Sequence, residues 1–333
     1  MNKELLELAI AVAKRAPEGN FSINDMHEAL KTQMRDLLCE NGKINYSKWS
    51  MNNKMIFALL AEMVDTVLPK TIEQAGIGRF IDMKTVGHGD KPRFFVKKGI
   101  KNVKRFVTKV SAAGVYDRVR LDKDYFDVET YIHGGAVYQS MEAFLAGDGD
   151  INEVLDILLG NLEESIYVDV TTALQGAVSS MPAANQATHA GFDATKFNGV
   201  LATVRAYGAP TIFCTQEFAA TLVPTAQFTA DADKNDMRNQ GYIGKYLGAD
   251  VVVLDQSFED ELNAKKVINP QYAYILPAGA QELPIKLIFE GDTVIRDVQN
   301  ADWSFEIQLY KKFGIALVHT NHFGIFRNTA LAA

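Results

Sequence analysis

Residues 151–179 carry a helical periodicity of unusual length, and this feature most constrains what the chain can fold into. Apolar residues recur at intervals of three or four along the stretch: Ile151, Leu155, Leu158, Leu162, Ile166, Val170, Leu174 and Val178. This spacing places them on one face of a helix. Asp150 and Glu153 match a helix N-cap with its reciprocal partner. At 1.5 Å per residue the helix would be about 40 Å long. Few globular domains need a helix of that length.

Residues 80–110 change to the pattern of extended chain. An apolar run at 80–86 and a basic run at 93–100 flank a cluster of turn residues that includes Gly87, Gly89, Asp90 and Pro92. Two such runs, bounded by Gly, Asp and Pro, predict a β-hairpin. A hairpin with few buried neighbours is marginally stable in water. The sequence therefore predicts a hairpin that lies against another surface.

The charges of the chain are concentrated in two blocks of opposite sign. Residues 91–109 contain no acid and eight basic residues, namely Lys91, Arg93, Lys97, Lys98, Lys101, Lys104, Arg105 and Lys109. Residues 117–169 contain thirteen acids and three basic residues, a net charge of −10. Because the basic residues alternate with apolar ones, they suit a half-buried ribbon. We expect this ribbon to dock on an acidic surface of another copy; nucleic-acid binding and a solvated face are the alternatives.

The rest of the chain predicts a mixture of helices and strands. The first 68 residues predict three short helices that end at Gly19, Gly42 and Pro69. Strands are predicted at 115–121 and 125–132, the second ended by Gly134 and Gly135, and a helix at 137–146. From residue 182 onward helices at 195–207, 216–223 and 237–247 alternate with strands at 210–215, 250–254 and 272–276, and residues 224–236 read as a flexible stretch. The last quarter predicts five strands, at 285–290, 293–298, 303–311, 315–320 and 322–327.

Several motifs that could carry chemistry lack an essential part. Asp148, Asp150 and Asn152 resemble the start of a calcium loop, which fails because Glu153 replaces the required glycine. His319 and His322 have a metal-like spacing, but on a strand the two rings would point to opposite faces. Cys214 fits a buried, inert thiol better than a nucleophile. We therefore predict no catalytic, cofactor-binding or metal site.

The overall composition excludes several classes of protein. The net charge of −7 argues against a dedicated nucleic-acid reader, because phosphate binding requires a basic excess. No run approaches the roughly 20 apolar residues of a membrane span, and residues 1–20 read as a helix rather than a secretory signal. Two cysteines, Cys39 and Cys214, favour a reducing compartment over a disulfide framework.

Three stretches, in their order along the chain, resemble the major capsid proteins of tailed bacteriophages. Residues 210–220 (PTIFCTQEFAA) look like the strand and helix of that family's axial lobe, and residues 241–254 (GYIGKYLGADVVVL) like its helix-to-strand step. Residues 306–317 (EIQLYKKFGIAL) look like its closing strand pair, turned at Gly314. The resemblance implies an α+β fold of the Hong Kong ninety-seven type, named after the phage, with an extended β-hairpin loop and a long spine helix.

The resemblance also implies a division of the chain into segments. These are a helical N-terminal arm at 1–68, an extended hairpin loop at 69–110, a peripheral domain with the spine helix at 111–180, an axial domain at 181–302, and a C-terminal strand and tail at 321–333. Strands at about 303–320 would join the peripheral domain. The family assembles as pentamers and hexamers into an icosahedral shell around double-stranded DNA, with portal and scaffold proteins, in the host cytoplasm. Certain members of the family join neighbouring subunits by a covalent cross-link, and no residue triplet of this sequence matches that site.

The implied function is therefore structural self-assembly, with no cofactor, no membrane contact and only non-specific contact with packaged DNA. The candidate inter-subunit contacts are basic on one side, at Lys91, Arg93, Lys97, Lys98, Lys101, Lys104 and Arg105. They are acidic on the other, at Asp148, Asp150, Glu153, Asp156, Glu163 and Glu164. A nanocompartment shell of the same fold, enclosing cargo enzymes, is the alternative. A metal-dependent hydrolase that uses His319 and His322 is a more remote one.

Overall fold

The computed structural model describes residues 29, 32, 39–40, 43–74, 77–90, 93–98, 122–140, 151–222, 231–258, 262–278, 283–299 and 304–332. The helices in these ranges are α1 (Tyr46–Gln74), α2 (Ile151–Ala177), α3 (Ala194–Arg205), α4 (Gln216–Ala219) and α5 (Asp231–Gln240). The strands are β1 (Cys39–Glu40), β2 (Lys43–Ile44), β3 (Ile81–Val86), β4 (Arg93–Lys98), β5 (Asp122–Asp127), β6 (Tyr131–Ser140), β7 (Gln186–His189), β8 (Ala209–Thr215), β9 (Lys245–Tyr246), β10 (Ala249–Leu254), β11 (Tyr272–Ala278), β12 (Ile285–Gln299), β13 (Ser304–Leu317) and β14 (Gly324–Asn328). Short 3-10 turns lie at Gly78–Phe80, Val178–Ser180 and Ala183–Asn185.

Two sheets organise the described part of the subunit. One has the strand order β3-β12-β13-β6, in which β3 runs parallel to β12 and the other neighbours are antiparallel. The other has the order β7-β14-β11-β8-β10-β9 and mixes both directions. The pairs β1–β2 and β4–β5 stand apart from these sheets. Helices combined with mixed sheets confirm the α+β class.

One hydrophobic core joins the two sheets. Helix α1 packs on β12 and helix α2 packs on β13, and Val64, Val170 and Leu174 of these helices are fully buried. The same cluster contains side chains of both sheets, namely Leu287, Phe289, Phe313, Phe213 and Tyr274. Removing this apolar surface from water, at about 25 cal/mol per Å², is what holds the helices on the sheet.

A second core lies on the other side of the six-stranded sheet. Along β8, Phe213 belongs to the first core, whereas Ile212 and Cys214 belong to the second, because alternate strand residues face opposite sides. The second core takes the buried side chains of α3 and α4 together with Phe326 of β14. Asp193 is the N-cap of helix α3, because its carboxylate accepts hydrogen bonds from the backbone N–H groups of Thr195 and Lys196.

The long periodic helix is confirmed, but the predicted end of the helix before it is wrong. Helix α2 spans Ile151–Ala177, close to the predicted 151–179. Helix α1, predicted to stop at Pro69, continues through it to Gln74. A proline inside a helix costs roughly 3 kcal/mol. Leu68 and Ile72, on either side of Pro69, are both buried in the core, and their burial keeps the helix intact.

Two predicted turns in the last quarter of the chain are also wrong. Strand β12 runs without interruption from Ile285 to Gln299, with a β-bulge between Glu290 and Val294. Strand β13 passes straight through Gly314. A Cβ at Gly314 would overlap the backbone of Glu129 and Thr130. The glycine therefore permits a close approach of two chain segments rather than a turn.

The predicted pairing of the hairpin is wrong as well. Strand β3 pairs with β12, and strand β4 pairs with β5, so the two runs around the turn belong to different sheets. The apolar start of β3 explains its choice, because Ile81 is buried in the first core. The strand predicted at 115–121 lies outside the described residues, and β5 begins at Asp122. Strand β12, assigned to the axial segment 181–302, pairs instead with β3 and β13.

Several other elements also differ from the sequence predictions in type or in bounds. Gly134 and Gly135 lie inside β6, and residues 137–140, predicted as helix, complete that strand because they pair with β13. Residues 39–40 and 43–44 form an antiparallel pair, whereas a helix was predicted up to Gly42. Helix α4 is shorter than the predicted 216–223, and α5 lies earlier than the predicted 237–247, in part of the stretch predicted to be flexible. Most of the predicted helices at 1–42 lie outside the described residues.

Within the described ranges, none of the helices combines the length and the apolar character that a membrane crossing requires.

We expect Leu174→Ala to lower the free energy of unfolding by about 2–5 kcal/mol, because it empties a fully buried site between α2 and the sheet. Ile157→Ala, on the same helix at a side chain that is 48% exposed, should change it by about 0.5 kcal/mol at most. Urea unfolding of unassembled subunits measures both. Equal effects of the two substitutions would contradict the packing of α2.

Candidate inter-subunit surface

Strands β4 and β5 form a two-stranded antiparallel ribbon, in which the first part of the basic run lies beside acidic β5. In the register of the pair Lys98 lies opposite Asp122, whereas Lys97 lies opposite Lys123. At the other end Arg93 Nε donates to Asp127 Oδ1 at 2.9 Å. Basic and acidic blocks were predicted to meet between copies. Arg93, whose side chain is described, instead meets an acid of its own chain.

The two faces of the ribbon differ in burial. Phe94 and Val128 are buried beside Ile288 of β12, and the ring of Phe94 stacks on that of Phe126 with centroids 5.9 Å apart. The next residue along β4, Phe95, is 68% exposed. Its cross-strand neighbour Tyr125 is 60% exposed. One face of the ribbon is therefore fixed to the subunit, and the other presents two aromatic side chains outward.

The ribbon lies on the outer face of the four-stranded sheet, which we define as the face opposite α1 and α2. Along β12 this face carries Lys286, Ile288, Glu290, Val294 and Arg296, in alternation with the core residues. Lys286 Nζ lies 5.3 Å above the centroid of the Phe94 ring and 2.6 Å from Asp82 Oδ2. The base of the ribbon is thus held over the sheet by both apolar and charged contacts.

Glu290, at the β-bulge of β12, receives hydrogen bonds from both ends of the ribbon. The backbone N–H of Gly89, in the turn before β4, donates to Oε1 at 3.1 Å. The hydroxyl of Thr130, just after β5, donates to Oε2. Lys312 Nζ of β13 lies 2.7 Å from the same oxygen. The hydrogen bond from Lys312, then those from Thr130 and Gly89, lower the pKa of Glu290 to about 2.

The acidic candidates Glu163 and Glu164 lie on α2, at the mouth of a cleft of about 610 Å³ between α2, the end of α1 and β10. Ser257 donates a hydrogen bond to Glu164. Asp255 shares the cleft, and Tyr167 lines it. Burial, and then the charges of Glu163 and Asp255, raise the pKa of Tyr167 to about 12. The cleft is therefore acidic, with Val252, Ile268 and Ile77 as its apolar lining.

The structure places only some of the predicted contact residues. Arg93 is described with its side chain, and Lys97 and Lys98 are placed on β4 as backbone. Glu153 and Asp156 are placed on α2 as backbone. The others lie outside the described residues, namely Lys91, Lys101, Lys104, Arg105, Asp148 and Asp150.

Glu290, Thr130, Asp255 and Asp127 were not singled out from the sequence. Two of the partners of Glu290, Thr130 and Gly89, lie 160 and 201 positions away, so no local pattern could indicate them. The exposure of Phe95 could have been found, because a half-buried strand buries only one of two consecutive residues.

The two histidines with metal-like spacing lie in a turn rather than on a strand. His319 has a φ of +55°, and its ring stacks on that of His322 with centroids 4.6 Å apart and an interplanar angle of 10°. His322 in turn stacks on Tyr207 at 4.2 Å. The prediction that the two rings diverge is wrong. Among the described residues there is no group of three side chains that could hold a metal ion.

Cys214 lies on β8 and is buried, as predicted. Burial raises the pKa of its thiol, which keeps the sulfur in its unreactive protonated form.

Comparisons with known proteins agree with the architecture. Residues 5–327 match the family model described as SPbeta prophage-derived putative capsid protein YonB. No curated protein matches the sequence. The mature capsid of bacteriophage PhiM1 contains a similar chain, 8% identical, with a TM-score of 0.53 over 78% of this chain and 88% of that one. A chain of Microbacterium phage Oxtober96 is 11% identical, with a TM-score of 0.52 over 74% and 89%.

A shell of the other predicted class is also similar. The SrpI encapsulin of Synechococcus elongatus PCC 7942 is 12% identical, with a TM-score of 0.49 over 78% of this chain and 89% of that one. At that TM-score the likeness decides nothing between the two classes of shell. The phage capsid chains, at their low identities, show the fold alone, and the Hong Kong ninety-seven type fold is confirmed.

The low pKa of Glu290 predicts a loss of stability in acid. Its charged form stabilises the fold fully above the unfolded-state pKa of about 4.3, and this contribution disappears as the pH falls towards the folded-state value of about 2. The stability difference between wild type and Glu290→Gln, measured by urea unfolding, should therefore shrink between about pH 5 and pH 2. Glu306→Gln, on β13, serves as the control. A difference that does not change with pH would contradict the contact.

Proposed function

The chain belongs to the YonB family of SPbeta prophage-derived putative capsid proteins, so it is a major capsid protein, and we propose that its copies assemble through the ribbon and the acidic cleft. The match of the family model to residues 5–327 carries the assignment, since it covers nearly the whole chain. The shared fold of tailed-phage capsid chains supports it. The role of such a protein is structural, and its activity is association with itself.

The apolar side chains on the surface support assembly between copies. Besides Phe95 and Tyr125 on the ribbon, Ile132 and Tyr138 of β6 are 62% and 77% exposed. They flank a shallow groove of about 520 Å³ on the outer face of the sheet, whose lining includes Gly134, Ala136, Val294 and Tyr310. Large apolar surfaces on a folded subunit mark places where another protein binds. In a shell, that protein is the next copy.

Charge complementarity supports a second contact between copies. The basic run at 91–109 has more positive charge than the acids of β5 can neutralise, and it contains no acid of its own. The cleft that contains Glu163, Glu164 and Asp255 offers negative charge around an apolar lining. We expect the basic run of one copy to reach, on the next copy, either this cleft or the acidic residues 148–156, namely Asp148, Asp150, Glu153 and Asp156. Exposed ion pairs contribute about 0.2–1 kcal/mol each, so they set register more than strength.

We infer the finer organisation of the shell from that of other capsid proteins with this fold. Pentamers and hexamers of this chain would close an icosahedral shell around double-stranded DNA, together with portal and scaffold proteins. Many weak contacts repeated by symmetry give such a shell its stability. Assembly would take place in the host cytoplasm, and the DNA would meet the inner surface without sequence preference, as the net charge of −7 suggests. The subunit would need no cofactor and perform no enzymatic reaction.

The four-stranded sheet with α1 and α2 would correspond to the peripheral lobe, and the six-stranded sheet with α3 to the axial lobe. The ribbon would be the extended loop. This division would differ from the predicted segments. Helix α1 of the predicted arm, β3 of the predicted loop and β12 of the predicted axial segment would join the peripheral lobe, whereas β5 would move from the predicted peripheral segment to the ribbon.

Electron microscopy of the purified protein tests self-assembly directly. We expect closed particles of uniform diameter. Particles isolated from producing cells should contain DNA, whereas cargo protein inside them would establish a nanocompartment instead. A stable monomer at high concentration would overturn the assignment as a shell protein. Metal analysis of the same sample tests the remote hydrolase alternative, which requires stoichiometric metal at His319 and His322.

Reversing the charge of the basic run should reduce the yield of shells. In the triple variant Lys97→Glu, Lys98→Glu and Lys101→Glu, positive charge that faces the acidic surface becomes negative, so we expect fewer particles, most clearly at low salt where screening is weak. The matched control reverses Lys54, Lys70 and Lys245, which are exposed on other elements. Particle yield by gradient sedimentation measures the effect. Unchanged yield of the first variant at low and high salt would count against the proposed contact.

A further inference from the structure

The geometry points to Glu290 as a positioning residue for assembly, which fixes the direction in which the ribbon leaves the sheet and so where the ribbon meets the next copy. This inference rests on the proposed function, because a direction matters only if the exposed face of the ribbon has a partner. It adds a residue that neither the family match nor the charge pattern indicates.

One carboxylate holds the two points at which the ribbon joins the body of the subunit. The chain enters the ribbon through the turn at Gly89 and leaves it through Thr130, and both donate hydrogen bonds to Glu290. Each carboxylate oxygen serves one of these points. Hydrogen bonds to a charged acceptor are stronger and more directional than neutral ones. A ribbon held at both ends by one rigid group has little freedom to rotate about its base.

Glu290 itself is held firmly by its surroundings. Its side chain is only 6% exposed, and Lys312 Nζ on the neighbouring strand lies 2.7 Å from its Oε2 atom. The bulge that carries it is fixed from the opposite face of the sheet. There Asp65 of α1 accepts hydrogen bonds from the backbone N–H and the hydroxyl of Thr293, and Lys311 binds Asp65 and the carbonyl of Gly291. Helix α1 therefore holds the site to which the ribbon is attached.

Two glycines beside Glu290 lie where a side chain would not fit. Gly291, in the bulge, has a φ of +71°, and an added Cβ would overlap the imidazole of His88 in the entry turn. Gly314 likewise lies directly against Glu129 and Thr130 at the exit. Both ends of the ribbon are thus in close contact with the sheet beside Glu290.

Besides Glu290, two lysines of the sheet, Lys84 and Lys286, hold the base of the ribbon through long contacts with the Phe94 ring and, from Lys84, with the carbonyl of Arg93 at 3.4 Å. The apolar contact under it consists of Phe94, Val128 and Ile288 as buried residues, with a few half-buried neighbours. Apolar contacts resist separation but tolerate sliding, since the hydrophobic effect is non-directional. The hydrogen bonds of Glu290 are short and are made at both points where the ribbon joins the subunit, so they contribute most to the angle of the ribbon.

The experiment uses the full chain and two matched pairs of variants. Thr130→Val removes the hydroxyl and keeps the shape, whereas Thr130→Ser keeps a hydroxyl. Glu290→Ala removes the carboxylate, whereas Glu306→Gln changes an acid of β13 that accepts a hydrogen bond from Gln308 of the same strand. Hydrogen exchange of segments 87–90 and 128–130 in unassembled subunits reports on the contact. Particle diameter and closure by electron microscopy report on positioning.

We expect exchange in these segments to be about tenfold faster in Thr130→Val and Glu290→Ala, with open sheets or particles of scattered diameter. Thr130→Ser and Glu306→Gln should behave as wild type. Faster exchange with shells of wild-type diameter would overturn the positioning role, and unchanged exchange would overturn the contact itself. Thr130→Val decides alone if Glu290→Ala does not fold. Wild-type protein that forms no closed particles would instead overturn the proposed function, and this inference with it.

Discussion

The antiparallel pairing of β12 with β13 is the interaction on which the rest of the described subunit depends. The two strands are 15 and 14 residues long, and they accept β3 on one side and β6 on the other. One face of the pair carries Leu287, Phe289 and Phe313, on which α1 and α2 pack to form the core. The other face carries the ribbon. Helices and ribbon therefore share one support, and neither has a comparable partner elsewhere in the described residues.

The β-bulge at residues 290–294 is where these two faces are tied together. On the core face, Asp65 and Lys311 form an ion pair with Thr293 as a further partner. On the outer face, Glu290 and Lys312 form another, with Gly89 and Thr130 as partners. A buried charge is stable only when it is paired and hydrogen-bonded, and each of these clusters meets that condition. Lys311 and Glu290 are the buried members of the two pairs, and the cost of burying their charges is offset at one place that also joins a helix, a sheet and a ribbon.

A subunit built in this way suits a capsid protein. Its interior contacts are strong and non-local, whereas its exposed contacts, such as the Arg93–Asp127 pair and the aromatic face of Phe95 and Tyr125, contribute little to the isolated fold. Surfaces of that kind gain stability from repetition in a closed assembly. Arg93 of the ribbon pairs with Asp127 of the same chain, and the basic run that contains Arg93 holds seven further positive charges in the sequence. Such a run suits a segment that must hold to its own subunit and also contact a second.

The sequence alone determined the elements whose signal is local. The long helix α2 follows from apolar residues at helical spacing, α3 and β8 follow from their patterns, and the ordered motifs at 210–220, 241–254 and 306–317 indicated the fold. The basic run and the acidic residues of α2 were likewise visible as composition.

Tertiary structure decided everything that depends on a partner far away in the chain. Pro69 and Gly314 carry strong local signals for an end and a turn, but burial of Leu68 and Ile72 and the close approach of Glu129 outweigh them. Strand β3 pairs with β12 rather than with β4, which is closer in sequence. Pairing with β12 buries Ile81 in the first core, and this burial stabilises the fold. Glu290 shows the same principle at the candidate site: its role arises from two donors more than 150 residues away, and only the folded chain brings them together.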